Sequence, residues 1–428
     1  MILRRAGRLS YLVAAAGLTL VVLLLNARLY YPRGAEYGPD RLGSDIVPGL
    51  RFVGGSLRDG AGERMQGLFP EGYFFAHALY GLSWVEVGLR QPPDSPARVQ
   101  ALREARWALQ QVDSPAGQAP FDPTLEPPFG VFYLGWSSWL RGGVLALGRG
   151  GPARDRAEVA RFERDCAALA AAFDRGATPF LTAYPGQAWP VDSVVAVAAL
   201  RLHDALLPPR FARAVARWLR EARQRLDPAT GLLPHRADPS TGASLEGARG
   251  SSQSVIARFL AEIDPVWARA QYALFRRLFA GTVAGVPGIR EYPRGVAGRG
   301  DVDSGPLIFG ISASATVVTL GAAEIYGDHA LADPLMHLCE AAGLPVEWGG
   351  TKRYTLGQLP VGDAFLLWAK AARPMVGPSG GLALPPVAGA WWRLPLHGLS
   401  LALLALAWLP LWVRARRTGW VRDMRRRL

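Results

Sequence analysis

The stretch Ala188-Trp189-Pro190-Val191-Asp192-Ser193-Val194-Val195-Ala196-Val197-Ala198-Ala199-Leu200 leads from a loop rich in glycine, proline and aromatic residues into a helix with almost no polar face. Proline at the opening and an acidic residue within the first turn mark a helix start. After Leu207-Pro208-Pro209 the chain changes character. Phe211, Val215, Trp218 and Leu219 recur at i, i+4, i+7 and i+8 with arginines between them, the pattern of an amphipathic helix with one solvated face. An apolar helix needs cover on every side, and its amphipathic successor supplies one of those sides.

This unit returns along the chain. Apolar helices start near Gly72, Gly130, Asp192, Ser252, Asp303 and Asp363, at spacings of 58, 62, 60, 51 and 60 residues. A repeat of that size is a repeated supersecondary unit. Between them, Ser95–Val112, Pro152–Asp174, Pro208–Leu226, Asp264–Ala280 and Asp328–Ala342 mix charge with apolar residues at helical spacing. The link from apolar to amphipathic helix is short, whereas the return links at 112–129, 174–189, 226–250, 281–303 and 342–362 are long. All long loops therefore gather at one rim, where the apolar helices begin. Eleven helices are legible, and the twelfth is expected from residues 56–68. Gly305–Ala323 has no charge and is long enough to span a membrane, but its Gly, Ser and Thr content and acidic flanks favour the fifth buried helix. Trp136 and Trp139 read as core.

Over about residues 60–375 the arrangement resembles the (α/α)6-toroid superfamily of six-hairpin barrels. That superfamily includes inverting glycoside hydrolases, polysaccharide lyases, sugar epimerases and terpenoid-processing enzymes. The general look is similar to linalool dehydratase/isomerase-like domains, some of them membrane-attached. The resemblance is one of architecture. It implies an all-α fold, an (α/α)6 toroid of inner and outer helices, with chemistry at the rim. The paired rim cysteines that linalool dehydratase/isomerase uses have no counterpart in this sequence.

Two apolar segments bracket the toroid. Leu9 to Ala27 follows Arg4, Arg5 and Arg8, and Leu394 to Val413 runs into Arg414, Arg416, Arg417, Arg422, Arg425, Arg426 and Arg427. Each is long enough for a helix to cross the ~30 Å hydrocarbon layer. Arginine excess marks the cytoplasmic flank, so both termini are expected inside a plasma or inner membrane and the main domain outside. At the first segment Arg28 and Arg33 weaken the contrast, and a cleaved signal peptide is the alternative. The expected organisation is a cytoplasmic N-terminus (1–8), a membrane helix (9–27), a linker (28–60), the toroid (61–375), a second linker (376–393), a membrane helix (394–413) and a basic cytoplasmic tail (414–428). Because these flanks hold ten of the arginines, the formal charge of +13 is chiefly a topology signal. No basic run or recognised motif in the large domain points to nucleic acid. Lysine occurs only at Lys352 and Lys370.

Polar groups at the six helix starts should converge at the rim, beneath the partial positive ends of the helices. The candidate catalytic residues are Asp303, Asp192, Glu71 and Asp363, with Asp303, Asp363 and Glu71 expected as a contiguous arc and Asp192 further round. Tyr73, Tyr184, Trp189, His235, Arg249, Asp301 and Tyr292 are candidate substrate-binding residues. Glycoside hydrolysis needs two carboxyls, one acting as acid and the other as base or nucleophile, and proximity can keep one protonated. Aspartate is also a preferred N-cap, so each acid has a structural alternative. Arg-Gly-Asp301-Val-Asp303-Ser-Gly-Pro offers two acids where one cap would suffice. The two cysteines, Cys166 and Cys339, form no metal-ligand cluster, and nucleotide, metalloprotease and serine-hydrolase motifs are absent. No cofactor and no metal are called for.

The leading expectation is a membrane-anchored enzyme acting on a glycan or other envelope component. The alternatives are a lyase, dehydratase or isomerase acting on an apolar or lipid-linked substrate, and a non-catalytic envelope scaffold or glycan-binding protein.

Overall fold

A computed structural model of the chain describes residues 2–31, 36–148 and 155–427, with side chains from residue 7 to 416. The chain begins with α1 (Ile2–Arg28), α2 (Ile46–Arg58), α3 (Ala61–Gln66), α4 (Gly72–Gly88), α5 (Pro96–Val112), α6 (Pro115–Gln118) and α7 (Gly130–Leu147). It continues through α8 (Arg156–Arg175), α9 (Pro190–Leu206), α10 (Ala212–Arg223), β1 (Arg236–Ala237), β2 (Ser244–Glu246), α11 (Gly250–Ile263) and α12 (Pro265–Phe279). The hairpin β3 (Ala280–Val283) and β4 (Val286–Ile289) follows, then β5 (Leu307–Ile308) and β6 (Ile311–Ser312). Last come α13 (Ala313–Tyr326), α14 (His329–Ala342), β7 (Val346–Trp348), β8 (Thr351–Arg353), α15 (Pro360–Lys370) and α16 (Leu394–Arg427).

Helix starts follow local chemistry. Ser95 accepts from the Arg98 amide at 3.2 Å ahead of Pro96. Asp264 accepts from the amides of Val266 and Trp267 at 3.1 and 3.0 Å ahead of Pro265. Side-chain acceptors of this kind satisfy amides that the first turn leaves open.

The six apolar helices pack in a circuit: α4 on α7, α7 on α9, α9 on α11, α11 on α13, α13 on α15, and α15 back on α4. Helices α5, α8, α10, α12, α14 and α2 lie against them as a second layer. Close approach is built into the sequence. Gly135 on α7 lies so near α9 that a Cβ there would stand 3.1 Å from the Ala196 nitrogen. Aromatic rings fill the middle: Trp136 stands 5.5 Å from Phe75, 5.2 Å from Phe259 and 5.8 Å from Trp368, with Phe365 5.5 Å from Phe75. Trp136 and Trp139 are core residues, as read. The circuit's centre is thus packed.

Beyond the aromatic plug, Arg258 pairs with Glu86, donates to the Trp368 carbonyl at 3.0 Å and lies 3.6 Å over the Trp368 ring. Glu262 accepts the amides of Met375, Val376 and Gly377 at 2.8–2.9 Å, sewing the segment after α15 onto α11.

Several expectations need correcting. Residues 56–68 hold the end of α2 and the short α3, and the stretch read as a linker over 28–60 holds α2 itself, a packed helix with Ile46, Leu50, Val53 and Leu57 buried. Residues beyond 376 also pack on the core, through Leu382, Leu384 and Val387. The fifth apolar helix begins at Ala313, about ten residues after Asp303, with Ser312 as its N-cap. The chain is mostly helical, 60%, but not all-α. Four two-stranded antiparallel hairpins occupy the long loops. The start at Pro152, and Arg33, lie outside the described residues, as do the side chains of Arg4, Arg5 and the arginines from Arg417 onward.

Three hairpins share one design. Val283 pairs with Val286, Ile308 with Ile311 and Trp348 with Thr351. The intervening residues, Ala284-Gly285, Phe309-Gly310 and Gly349-Gly350, all have positive φ. These are two-residue turns with left-handed backbone, which favour Asn-Gly or Gly-Gly. Phe309 is out of place there, at φ +50° with its ring 80% exposed. Phe309→Asn is expected to raise folding stability by about 1 kcal/mol by relieving that strain, read as a shift in urea midpoint with the full chain in detergent.

Helices α1 and α16 are long and apolar enough to cross a membrane, and protein covers little of either. They lie side by side. Tyr11 donates to the Ala407 carbonyl at 2.7 Å, Trp408 to Thr19 at 3.0 Å, and Asn26 to Ser400 at 2.8 Å. Cys166 and Cys339 are buried free thiols.

Candidate functional site at the loop-bearing end

Glu71 occupies the N-cap position of α4, yet it makes no capping hydrogen bond. It accepts instead from the Tyr184 hydroxyl. Tyr184 lies in the loop before α9, braced edge-on by Trp189 at 5.7 Å. Asp192, in the first turn of α9, is only 5% exposed. Among the described residues its carboxyl has no hydrogen-bond donor and no cationic neighbour. Burial first, then the charges of Asp303 and Glu71, push its pKa well above the usual carboxylate range. Burial and the same carboxylates raise the Tyr184 phenol.

Asp303 reaches this group from the loop before α13. About half of its side chain is open to water, so the cluster runs from buried Asp192 out to solvent. Partial enclosure, helped by the charges of Asp301 and Glu71 and opposed by Arg249, pushes Asp303 up to about 6. Asp301 takes the structural role. Its Oδ1 accepts the amides of Asp303 and Ser304, each at 3.1 Å, and its Oδ2 accepts from Arg249 at 2.5 Å. Burial opposes ionisation of Asp301, but Arg249 and the Ser304 amide hold it below the usual range. One acid thus shapes the loop and leaves the other unused by it.

Arg249 precedes α11 and also binds Glu291 at 2.7 Å and Glu246 at 3.2 Å, with the Tyr292 ring 5.4 Å away. Glu291 is fully buried and takes Ser251 Oγ at 2.7 Å as well. His235 bonds Ser252 through Nδ1 and places Nε2 4.0 Å from Asp303 Oδ2. Burial, reinforced by Arg249, lowers its pKa to about 3. The ring is neutral at physiological pH, and its approach to Asp303 is a polar contact rather than an ion pair, too long for a hydrogen bond.

The structure therefore brings together Glu71, Asp192 and Asp303 with Tyr184 and His235, while Arg249, Asp301, Trp189 and Tyr292 hold the loops. Asp363 is not in the arc. Its Oδ1 accepts the Tyr354 amide at 2.8 Å, and burial pushes it up to about 7. It sits one turn into α15 and faces the preceding loop, so a shared helix-start position did not give a shared direction. Tyr73 is also turned away, between α4 and α5, with its hydroxyl on Gln111 at 2.9 Å and its ring 4.3 Å from His77. Among the described residues, no group of three or more His, Cys, Asp or Glu side chains is disposed to hold a metal ion.

A second polar cluster escaped the sequence reading. Lys352 contacts Asp45 at 2.6 Å and Glu340 at 2.7 Å. Lys370 contacts Asp45, Glu340 at 2.7 Å and the Tyr354 hydroxyl at 3.1 Å. Both ammonium groups are buried and both are matched by carboxylates, so the cluster joins α2, α14, α15 and β8 as a balanced network. The signal lay in the composition: in an arginine-rich chain, the only two lysines meet at one place. No protein-family model matches this chain, and no curated protein matches it either.

Proposed function

We propose that the protein is a membrane-anchored (α/α)6-toroid enzyme acting on a glycan or another envelope component by carboxylate acid/base chemistry. Both termini lie in the cytoplasm and the toroid stands outside. The circuit of six apolar helices with a covering layer supports the toroid, and the arginine flanks support the orientation. The catalytic reading is carried by Asp192, a buried carboxyl beside two other carboxyls with no cation to neutralise it.

Such a group holds its proton above the usual carboxylate range and can deliver it to a leaving oxygen. Asp303, open to solvent and ionising near 6, suits the partner that takes a proton from water. Tyr184 holds Glu71 in place beside them. If all the acids served only as caps, as in a scaffold, each would be tied into its own helix start or loop backbone. Asp363 is so tied; Glu71 and Asp192 are not.

The test is release of reducing ends from a panel of polysaccharides by the full chain in detergent. Activity should rise through pH 6 as Asp303 ionises, and Asp303→Asn should remove that limb. Absence of turnover on every glycan, or a profile unchanged by Asp303→Asn, would sink the reading. A lyase or isomerase acting on a lipid-linked substrate is the second reading. It is favoured by the two apolar helices, which would hold the domain beside a bilayer.

A further inference from the structure

The last residue of α1, Arg28, pairs with Glu340 near the end of α14 at 3.2 Å and with Glu347 on β7 at 3.5 Å. Arg393, just before α16, donates to the Leu29 carbonyl at 2.7 Å and contacts His337 at 3.3 Å. Leu29, Ala388 and Trp392 form a small apolar cluster with Ala341 and Leu396. On the neighbouring hairpin, a Cβ at Gly285 would stand 3.6 Å from Pro395. Both apolar helices thus leave the domain beside the end of α14 and the turns of β3–β4 and β7–β8. Glu340 also holds Lys370, the last residue of α15, so this is the flank of the domain formed by α14 and the two hairpins.

Trp348 follows Glu347 directly and closes β7–β8, with 81% of its surface exposed. Trp391, two residues before Arg393, is 76% exposed. The base of the hairpin is rigid, because Lys352 on β8 is locked between Asp45 and Glu340. Folding gives no reason for a bare indole on such a support. Indole rings favour the boundary between headgroups and acyl chains, where the apolar ring leaves water and its N–H keeps a partner. Beside the turn, Arg51 lies 3.5 Å from the Gly350 carbonyl and supplies positive charge suited to anionic headgroups.

We propose that the β7–β8 hairpin is a third membrane contact, seating Trp348 at the headgroup level of the bilayer that α1 and α16 cross and holding this flank of the domain against the lipid surface. The proposal rests on the membrane-spanning reading of those two helices and is independent of the catalytic reading.

The full chain is reconstituted in vesicles of phosphatidylcholine and phosphatidylglycerol, with a bimane label on Trp348→Cys. The unsubstituted chain sets the background from the two buried thiols. Leu20→Cys in α1 reports whether the helix is in lipid. Val266→Cys, exposed at the start of α12, reports a surface position outside the hairpin. Headgroup spin-labelled lipid should quench the label at position 348 at least about twofold more than at 266, and aqueous iodide should quench it less. Equal behaviour at 348 and 266, with position 20 in lipid, overturns the proposal alone. If position 20 also lies in water, the membrane reading falls and takes the proposal with it.

Discussion

Asparagine in place of Asp192 is expected to cut turnover by about 10²–10⁴, the range for loss of a positioned proton donor, while making the folded chain harder to unfold at pH 8. The two effects share one cause. Asp192 is 5% exposed, and burial together with Asp303 and Glu71 disfavours its charged form. The native state therefore holds that proton more tightly than the unfolded state does. Stability from this group is complete below the unfolded value of about 3.9 and declines as pH rises towards the native one, at most ~1.4 kcal/mol per pH unit. Asparagine fills the same space without the decline. Urea unfolding at pH 4.5 and pH 8 should show the variant gaining on the parent only at the higher pH. Full activity in the variant would remove Asp192 from the chemistry. Lost activity with lost stability would make it a structural residue.

Arg258→Ala is expected to cost about 3–5 kcal/mol, because a buried carboxylate is left without its partner. Glu86 on α4 is 2% exposed and Arg258 on α11 is 4% exposed. Burial pushes Glu86 up to about 7 even with Arg258 in place. Removing the guanidinium also strands the Trp368 carbonyl and empties space against that ring. With the cation gone, the Glu86 pKa rises further, so the defect should deepen between pH 5 and pH 8. Glu86→Gln in the same chain should recover part of the loss, since a neutral amide needs no counter-charge. Denaturant titration of the parent, both single variants and the double variant gives the coupling. A loss in Arg258→Ala that does not change with pH and is not eased by Glu86→Gln would assign the effect to packing around Trp368 instead.

What the sequence disclosed and what it hid divide along physical lines. Apolar helices such as α4 and α7 start where the pattern put them, because burial on all sides leaves an unmistakable run of apolar residues. Covering helices α5, α12 and α14 were legible through serine, proline and aspartate at their openings. The hairpins were harder. Ala284-Gly285 and Phe309-Gly310 lack the asparagine or aspartate that usually announces such turns, whereas Gly349-Gly350 between Val346-Glu347-Trp348 and Thr351-Lys352-Arg353 was a readable signal. Missing β5–β6 moved the expected start of α13 back onto Asp303. At the site, type and position identified Asp192, Asp303 and Glu71, but not direction. Asp363 shares their place at a helix start and faces the other way, and only packing decides that. The lysine network depends on contacts between residues about 300 positions apart, which no local pattern encodes.

The pairing of α1 with α16 has a consequence for how the protein is made. Asn26 on α1 bonds Ser400 and His397, and both partners belong to a helix that leaves the ribosome only after the whole domain. Within α1 the amide donates only to the Val22 carbonyl, at 2.7 Å, and its other partners do not yet exist. Arrival of α16 completes the set and joins the two ends of the domain in one act. A chain cut short anywhere before α16 therefore lacks both the outer partners of Asn26 and the link between its two ends.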